Sequence, residues 1–543
     1  MIIRTTAMAA LIVAAVPGLG FAQTAPTRIV PQNRPDQTPA APHPPQASPE
    51  PPKVEQAPPR VRPFVLAGVQ LQGSTLPPAA VAAAYRPFVG RTMDGRNLIQ
   101  LSDAIAAVYE TAGYALYTVI IPDQDFAGGV ARLVAVEGYI EGARIEGPTD
   151  RRRRALVDSY VAKLKAEKPL KRRTLQRYVS LIRDIPGLFP EANLSTGSQP
   201  GAVNLDLVLK PRTAQFGLGV NNRGTAYLGR TQVQADLYLN SLLRQGDRTQ
   251  LTVAAPTRAQ LFQYYGLGHI QPIGADGATV QANVGYMRTK PKNTGLRGRA
   301  TSAGVQVSYP IIRSFNQDLY LNVGLDGLNA DNAFLGFTFS DDRTRAVRAT
   351  LSYSKTTEKS LLAASGSLSR GVNALGARVT SSALSELDFT KVNGRLAFNR
   401  VLGDVFVVRL AGAGQYSGDR LPGSEQFALG GDEFGRGFEA SIVAGDYGYG
   451  ASAELAWRPA KVFTGALSGS ELYGFADGGE VWYRGRLGFP ASNASVRSAG
   501  GGARFVVKQR AVIQVEAARG LNDPVPFLDR ENWRGIVNIR TLF

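Results

Sequence analysis

The chain has 543 residues, with 61 Lys and Arg against 43 Asp and Glu, a formal charge of +18, two His and no Cys. The lack of Cys excludes a disulfide scaffold, a thiol nucleophile and a Cys-ligated zinc or iron–sulfur site. The two imidazoles, His43 and His269, lie too far apart to suggest a His-based triad or a two-His metal site. Abundant Gly, Tyr and Phe beside four Met favour β structure, and the positive excess points to an anionic partner or surface, or to solubility.

The first residues read as an export signal. Arg4 lies in a short basic segment, Ala7–Gly18 is an apolar run of small residues, and Gly20-Phe21-Ala22 precedes Gln23 as a small-x-small cleavage site. The run is too short for a membrane anchor and is interrupted by Pro17 and Gly18. Residues 1–22 are therefore expected to be a signal peptide. Residues 23–63 hold 13 of the 33 Pro and are expected to be an extended linker, too Pro-rich for a stable pore-plugging helix.

A mixed α/β module is expected over 64–138. Phe64, Leu66, Val69 and Leu71 suggest a first strand. Ser102 or Asp94 is placed to cap a helix whose Leu98, Leu101, Ile105, Val108 and Tyr109 form an apolar stripe that ends at Gly113. Strands Tyr117–Ile121 and Val130–Val136 follow, joined by turn residues. The order repeats over 139–212: strand Tyr139–Ile145, helices Arg151–Lys165 and Thr174–Ile185, then strands Ala192–Ser195 and Val203–Leu209. Residues 151–177 carry 11 Lys and Arg against two acids, half of the chain's net charge. A solvated helix face is the simplest reading, with anionic lipid headgroups or an acidic client as the alternative. Tyr160 and Tyr178 sit at apolar helix positions, so nucleic-acid binding is not expected.

From 213 onward helical periodicity gives way to strict alternation. Val233, Ala235, Leu237 and Leu239 oppose Gln232, Gln234 and Asp236. Val280, Ala282, Val284 and Tyr286 oppose Gln281 and Asn283. Ile513 and Val515 oppose Gln514 and Glu516. Such strands suit either a dry-cored sandwich or a barrel with apolar residues toward lipid and polar ones toward a wet lumen. The signal, the 331-residue extent and the final aromatic, Phe543, favour the barrel, with room for roughly 16 strands. The expected fold is thus a transmembrane β-barrel of about 16 antiparallel strands over 213–543, preceded by two small α/β domains.

The chain resembles the two-partner secretion outer-membrane transporters, the TpsB family of haemolysin-activator and filamentous-haemagglutinin-transporter type. Gly113-Tyr114, Ile121-Pro122-Asp123-Gln124 and Val136-Glu137-Gly138 resemble the first polypeptide-transport-associated (POTRA) domain of that family. Asn221-Asn222-x-Gly224, Gly229-Arg230 and Gly246-Asp247 resemble its barrel opening, with Asn221 where Asp is usual. Gly435-Arg436-Gly437-Phe438 resembles the tip of a long loop that folds into the lumen, and Phe475-Ala476-Asp477-Gly478-Gly479 its Phe-x-Asp-x-Gly wall motif. Gly435 stands where Val is usual and Phe438 where Tyr is usual.

The resemblance implies a lumenal lock, Arg436 on Asp477, supported by Gly435, Gly437, Phe438, Phe475 and Gly479. Glycines allow a tight turn and close approach, Arg offers a planar fork to a carboxylate, and Phe475 and Asp477 share a strand face. It also implies a translocator that secretes a large unfolded partner exoprotein, held in extended form by the POTRA-like domains. Further expected partners are outer-membrane lipid and the barrel-assembly machinery, the latter through the strand ending in Phe543. No cofactor, metal or enzymatic activity is implied. Asp432/Glu433 and Asp341/Asp342 fall in expected loops, where bare charge is common. A barrel-assembly insertase of the same superfamily and a passive porin remain as alternatives.

Overall fold

A computed structural model describes residues 58–524 and 533–543, apart from 127, 148–150, 336, 460, 487–489 and 509. The expected signal peptide and nearly all of the expected linker lie outside the described residues. The chain divides into two compact units that part at Arg212/Thr213.

The first unit opens with strands β1 (Phe64–Val65) and β2 (Gly68–Gln72), helix α1 (Pro78–Tyr85), strand β3 (Thr92–Met93) and helix α2 (Gly95–Thr111). Strands β4 (Tyr117–Ile120) and β5 (Val130–Glu137) follow. The single strand expected over 64–71 is two, because Leu66-Ala67 breaks the ladder: β1 pairs with β3, while β2 runs parallel to β5 in the sheet β2-β5-β4. Of the two candidate caps, Asp94 is the one that works, its carboxylate accepting from the Asn97 amide at 2.8 Å. Ser102 lies inside the helix and donates to the Val119 carbonyl. Gly113 takes a left-handed φ of 75° just past the helix, where a side chain would be strained. The stripe Leu98, Leu101, Ile105 and Tyr109 is fully buried against Leu66, Met93 and Leu133.

The next run is β6 (Tyr139–Glu146), α3 (Arg151–Ala166), α4 (Arg172–Arg183), β7 (Leu188–Thr196) and β8 (Ala202–Pro211). The sheet order is β6-β8-β7, with β6 and β8 parallel. Tyr160 and Tyr178 are buried beside Val157, Leu164, Leu175 and Ile182. Three backbone bonds stitch the two runs together: Ala115 to Leu170 (2.9 Å), Arg172 to Gly113 (2.7 Å) and Leu170 to Gly138 (2.9 Å). Lys171 Nζ lies 3.2 Å from the centre of the Tyr114 ring.

The second unit is a closed barrel of sixteen antiparallel strands. In chain order they begin with β9 (Ala214–Asn221), β10 (Gln232–Asn240), β11 (Arg248–Pro256), β12 (Phe262–Ile273) and β13 (Ala278–Thr289). Next come β14 (Leu296–Arg313), β15 (Gln317–Phe334), β16 (Phe337–Thr356), β17 (Ser360–Gly371), β18 (Thr390–Leu402) and β19 (Phe406–Ser417). The short strands β20 (Phe427–Leu429) and β21 (Val443–Gly445) form a hairpin outside the barrel ladder. The barrel resumes with β22 (Tyr447–Trp457), β23 (Glu471–Tyr483), β24 (Ser492–Val507), β25 (Ala511–Gly520) and β26 (Trp533–Leu542), which pairs back to β9.

Side-chain parity sorts each strand. Leu251, Val253, Leu267, Val284, Leu351, Leu396, Leu410 and Val515 are exposed on the outside. Thr252, Thr350, Ser352, Asn393, Gln415, Glu454 and Asp477 are buried inside. Closure gives each barrel strand a paired neighbour on both sides, and the inversion offers lipid an apolar wall. Asp341 and Asp342 were expected in a loop; they lie on β16, which runs longer than its alternation suggests, and face the chain around Arg378 and Thr380.

Candidate functional site

Residues 418–446, between β19 and β22, form the loop that carries Arg436. Its limbs pair as β20 and β21, Phe427 opposite Gly445 and Leu429 opposite Val443. Gly430, Gly431 and Gly435 take φ values of 100°, 103° and 92°, a left-handed region open to glycine, and so turn the chain back on itself.

The wall facing this tip is set by register. Arg409 of β19 pairs with Glu454 of β22, Asp477 of β23 with Ser498 of β24, and Glu471 of β23 with Arg504 of β24. Because all six face inward, cross-strand neighbours become ion-pair or hydrogen-bond partners. Gly502 of β24 lies opposite Glu516 of β25, which leaves room for that carboxylate.

Arg436 is buried among three carboxylates. Its Nε donates to Asp477 Oδ2 at 2.8 Å, and Nη1 donates to Glu454 Oε2 at 3.0 Å and to Glu516 Oε2 at 3.3 Å. Its guanidinium carbon stands 3.6 Å from the centre of the Phe475 ring. Asp477, with no exposed side-chain surface, also accepts the Gly435 amide at 2.8 Å, the Arg436 amide at 3.2 Å and the Ser498 hydroxyl. One carboxylate therefore fixes both the backbone and the side chain of the tip. The surrounding acids are shared: Glu454 with Arg409 and Arg504, Glu471 with Arg409, Arg458 and Arg504, and Glu516 with Arg223 and Tyr473. A buried charge survives only when compensated in this way, and removing one partner of such a pair costs about 3–5 kcal/mol.

The supporting residues take up definite places. A Cβ on Gly437 would lie 2.5 Å from the Gly520 nitrogen, so only glycine lets the tip reach the wall there. A Cβ on Gly479 would meet the Tyr449 carbonyl at 2.2 Å. Phe438 is buried with Phe427, Leu429, Phe434, Val481 and Val496, and its carbonyl accepts from Arg534. Phe434 lies over Gly450 and Phe427 over Gly448, so glycines on β22 form a floor for the loop's rings. Those glycines belong to the Gly445–Gly450 run, whose Tyr449 points outward and is exposed.

Parity in the sequence places Phe475 and Asp477 together. Glu454, Glu516, Arg409 and Arg504 were not singled out. A charged residue at an inward position of an alternating strand was the available signal, but which strands would meet the tip depends on register and closure. Glu433 leans the other way, onto Arg395 of β18. Among the described residues no group of three or more His, Asp or Glu is arranged to hold a metal ion.

An inverted sixteen-stranded barrel with a charged loop packed into it, joined in sequence to small α/β modules, defines an outer-membrane transporter whose modules stand in the periplasm. Residues 202–504 match the family described as haemolysin secretion/activation protein ShlB/FhaC/HecB, and 64–138 match the ShlB-type POTRA domain. The chain belongs to that family and is a two-partner secretion transporter. It is 27% identical over 493 residues to the haemolysin transporter protein ShlB of Serratia marcescens, covering 86% of this chain and 85% of that one. It is 22% identical over 478 residues to the heme/hemopexin transporter protein HuxB of Haemophilus influenzae strain 86-028NP, covering 83% and 82%. Among solved structures, CdiB from Escherichia coli shares the fold with a TM-score of 0.73 at 18% identity, over 91% of this chain and 94% of that one.

Proposed function

We propose that this transporter secretes one large partner protein, unfolded in the periplasm and threaded through the barrel, and that the Arg436–Asp477 pair locks the lumenal loop while the transporter is idle. The observation that carries the lock is the convergence on Arg436 of three inward carboxylates from three strands, with Asp477 also holding the tip's backbone. Opening then means moving one loop and re-solvating one network, with the strand ladder intact.

The second α/β run, 139–212, acts in this reading as a second POTRA module. Strand β2 lies at an edge of the first module's sheet and β7 at an edge of the second. An extended client adds a strand at such an edge through main-chain bonds, which tolerate many sequences. The final strand, ending in Phe543, serves as the segment handled by the barrel-assembly machinery. In this reading folding of the client outside the cell supplies the drive.

The test is genetic and direct. The expected partner is a large exported protein encoded beside this chain; it is expressed with and without the transporter, and the medium and periplasm are compared. The reading expects the partner in the medium only when this chain is present; equal amounts in the medium without it would reject the reading.

A further inference from the structure

The loop is held at a second place, by charges of opposite polarity, and nothing in the lock reading uses it. On the descending limb, Gly423–Glu425 forms a short 3-10 turn just before β20. The Glu425 side chain is completely buried, as is that of Lys391, and Arg348 is nearly so. Arg348 Nη2 of β16 donates to both Glu425 oxygens at 3.0 and 3.2 Å. Lys391 Nζ of β18 stands 2.9 Å from Glu425 Oε2. The Glu425 backbone carbonyl accepts from Lys391 Nζ at 3.3 Å and from Gln415 Nε2 at 3.0 Å.

The wall side of this contact is braced. Arg348 is also gripped by Asp326 of β15, through Nε and through Nη2 at 3.1 Å, and its Nη1 donates to Ser369 of β17 at 3.0 Å. The cations therefore stay in place on the wall, and Glu425 is the part that moves with the loop. At the tip the polarity is reversed: the loop supplies the cation and the wall the acids. Among the described contacts, the residues that hold Glu425 or brace its partners (Arg348, Lys391, Gln415, Asp326, Ser369) and those that hold Arg436 or brace its partners (Glu454, Asp477, Glu516, Ser498) have no member in common.

We infer that Glu425, seated on Arg348 and Lys391, is a second and independent anchor of the lumenal loop, so that the conduit opens only when both anchors are released. The inference rests on the reading that the loop occupies the conduit, and it extends that reading from one lock to two. Glu425 is a positioning residue. Its loss frees the limb of the loop while the tip stays on Asp477, and the converse holds for Asp477. Neutralising it also leaves one positive charge in excess on the lumen wall, since Asp326 still balances Arg348 but nothing then balances Lys391, and this draws anions.

The experiment uses the full-length protein in planar lipid bilayers, comparing wild type, E425Q, D477N and the double variant, each first shown to be a heat-modifiable barrel. Each single variant is expected to raise the probability of large-conductance openings roughly tenfold or more, the scale of a hydrogen bond to a charged group. The double variant is expected to show about the product of the two effects, as independent sites do. Reversal potentials in a salt gradient add a sign: E425Q shifts selectivity toward anions and K391Q toward cations, while both raise opening. Loss of packing alone has no such signed effect. If E425Q does not insert, K391Q takes its place in the double variant, because Arg348 remains held by Asp326.

Openings of E425Q and K391Q at wild-type level, with the double variant no more open than D477N, overturn the second anchor and leave the lock intact. Openings of D477N at wild-type level with raised openings in E425Q overturn the lock and leave the second anchor. A double variant no more open than either open single overturns independence, since the two contacts are then one cooperative unit.

Discussion

The two units of this protein solve the same problem with opposite interiors. In the periplasmic modules the helix stripe Leu98, Leu101, Ile105 and Tyr109 is fully shielded, while Lys163, Lys165 and Arg173 of α3 and α4 are exposed. In the barrel, Leu267, Val284 and Leu396 lie outside, while Arg348, Lys391, Glu454 and Asp477 are buried. The barrel interior tolerates charge because the charges compensate one another and because the lumen, unlike lipid, admits water. Stability in the modules therefore resides in packing. Stability in the barrel resides in the strand ladder, and its interior is free to carry a movable ionic device.

That contrast predicts where damage falls. Leu101→Ala removes side-chain volume from the first module's core and is expected to cost about 2–5 kcal/mol. Hydrogen exchange of the α2 amides in the full chain should speed up accordingly while the barrel stays heat-modifiable; unchanged exchange would deny that α2 is the module's core element. Leu267→Arg, on the lipid face at mid-strand, is expected to cost about 2–4 kcal/mol if it sits near the bilayer midplane. Folding yield into vesicles measures it, and a yield equal to wild type would place Leu267 away from lipid. Asp94→Ala removes the α2 cap and should cost about 1 kcal/mol, confined to exchange in the helix's first turn. Lys165→Ala, on the exposed basic face, should change stability by less than about 0.5 kcal/mol.

A titration sharpens the same comparison. Burial pushes the Tyr109 phenol above its ordinary value of about 10, and its hydrogen bond to Glu137 works in the same direction. The fold thus favours the neutral phenol. Its contribution to module stability is whole below about pH 10 and is lost as pH rises through the folded value. Tyr109→Phe should flatten the fall in module stability above pH 10, measured by exchange; an unchanged profile would assign the alkaline loss elsewhere.

Most of the architecture was legible because period and parity are local properties. Alternation from residue 213 defined the strands, and Gly113 with a capping candidate, Asp94 or Ser102, bounded a helix in the first module. The extent of β16 was not legible, because Ser340-Asp341-Asp342 looks like a turn until its pairing with β15 is known. The site was half legible. Arg436 and Asp477 stood in recognisable motifs, and two-residue spacing put Phe475 beside Asp477. Glu454 and Glu516 come to the Arg436 guanidinium, and Arg504 to Glu454, through strand registers and the curvature of the wall. Glu425 was hidden for a further reason, since its partners lie 34 and 77 positions away in the chain.

The central claim is that the barrel's ionic interior works as a latch and is not needed for the barrel to stand. Arg436→Ala, expressed at wild-type level and checked for heat modifiability, puts this to a single measurement: the amount of cognate partner in the culture medium. A correctly inserted barrel with secretion reduced at least tenfold, the scale of losing charged hydrogen bonds, is the result expected here, because a loop that cannot re-seat on Asp477 opens to ions at random and no longer in step with the arriving partner. Undiminished secretion by that inserted variant would contradict it.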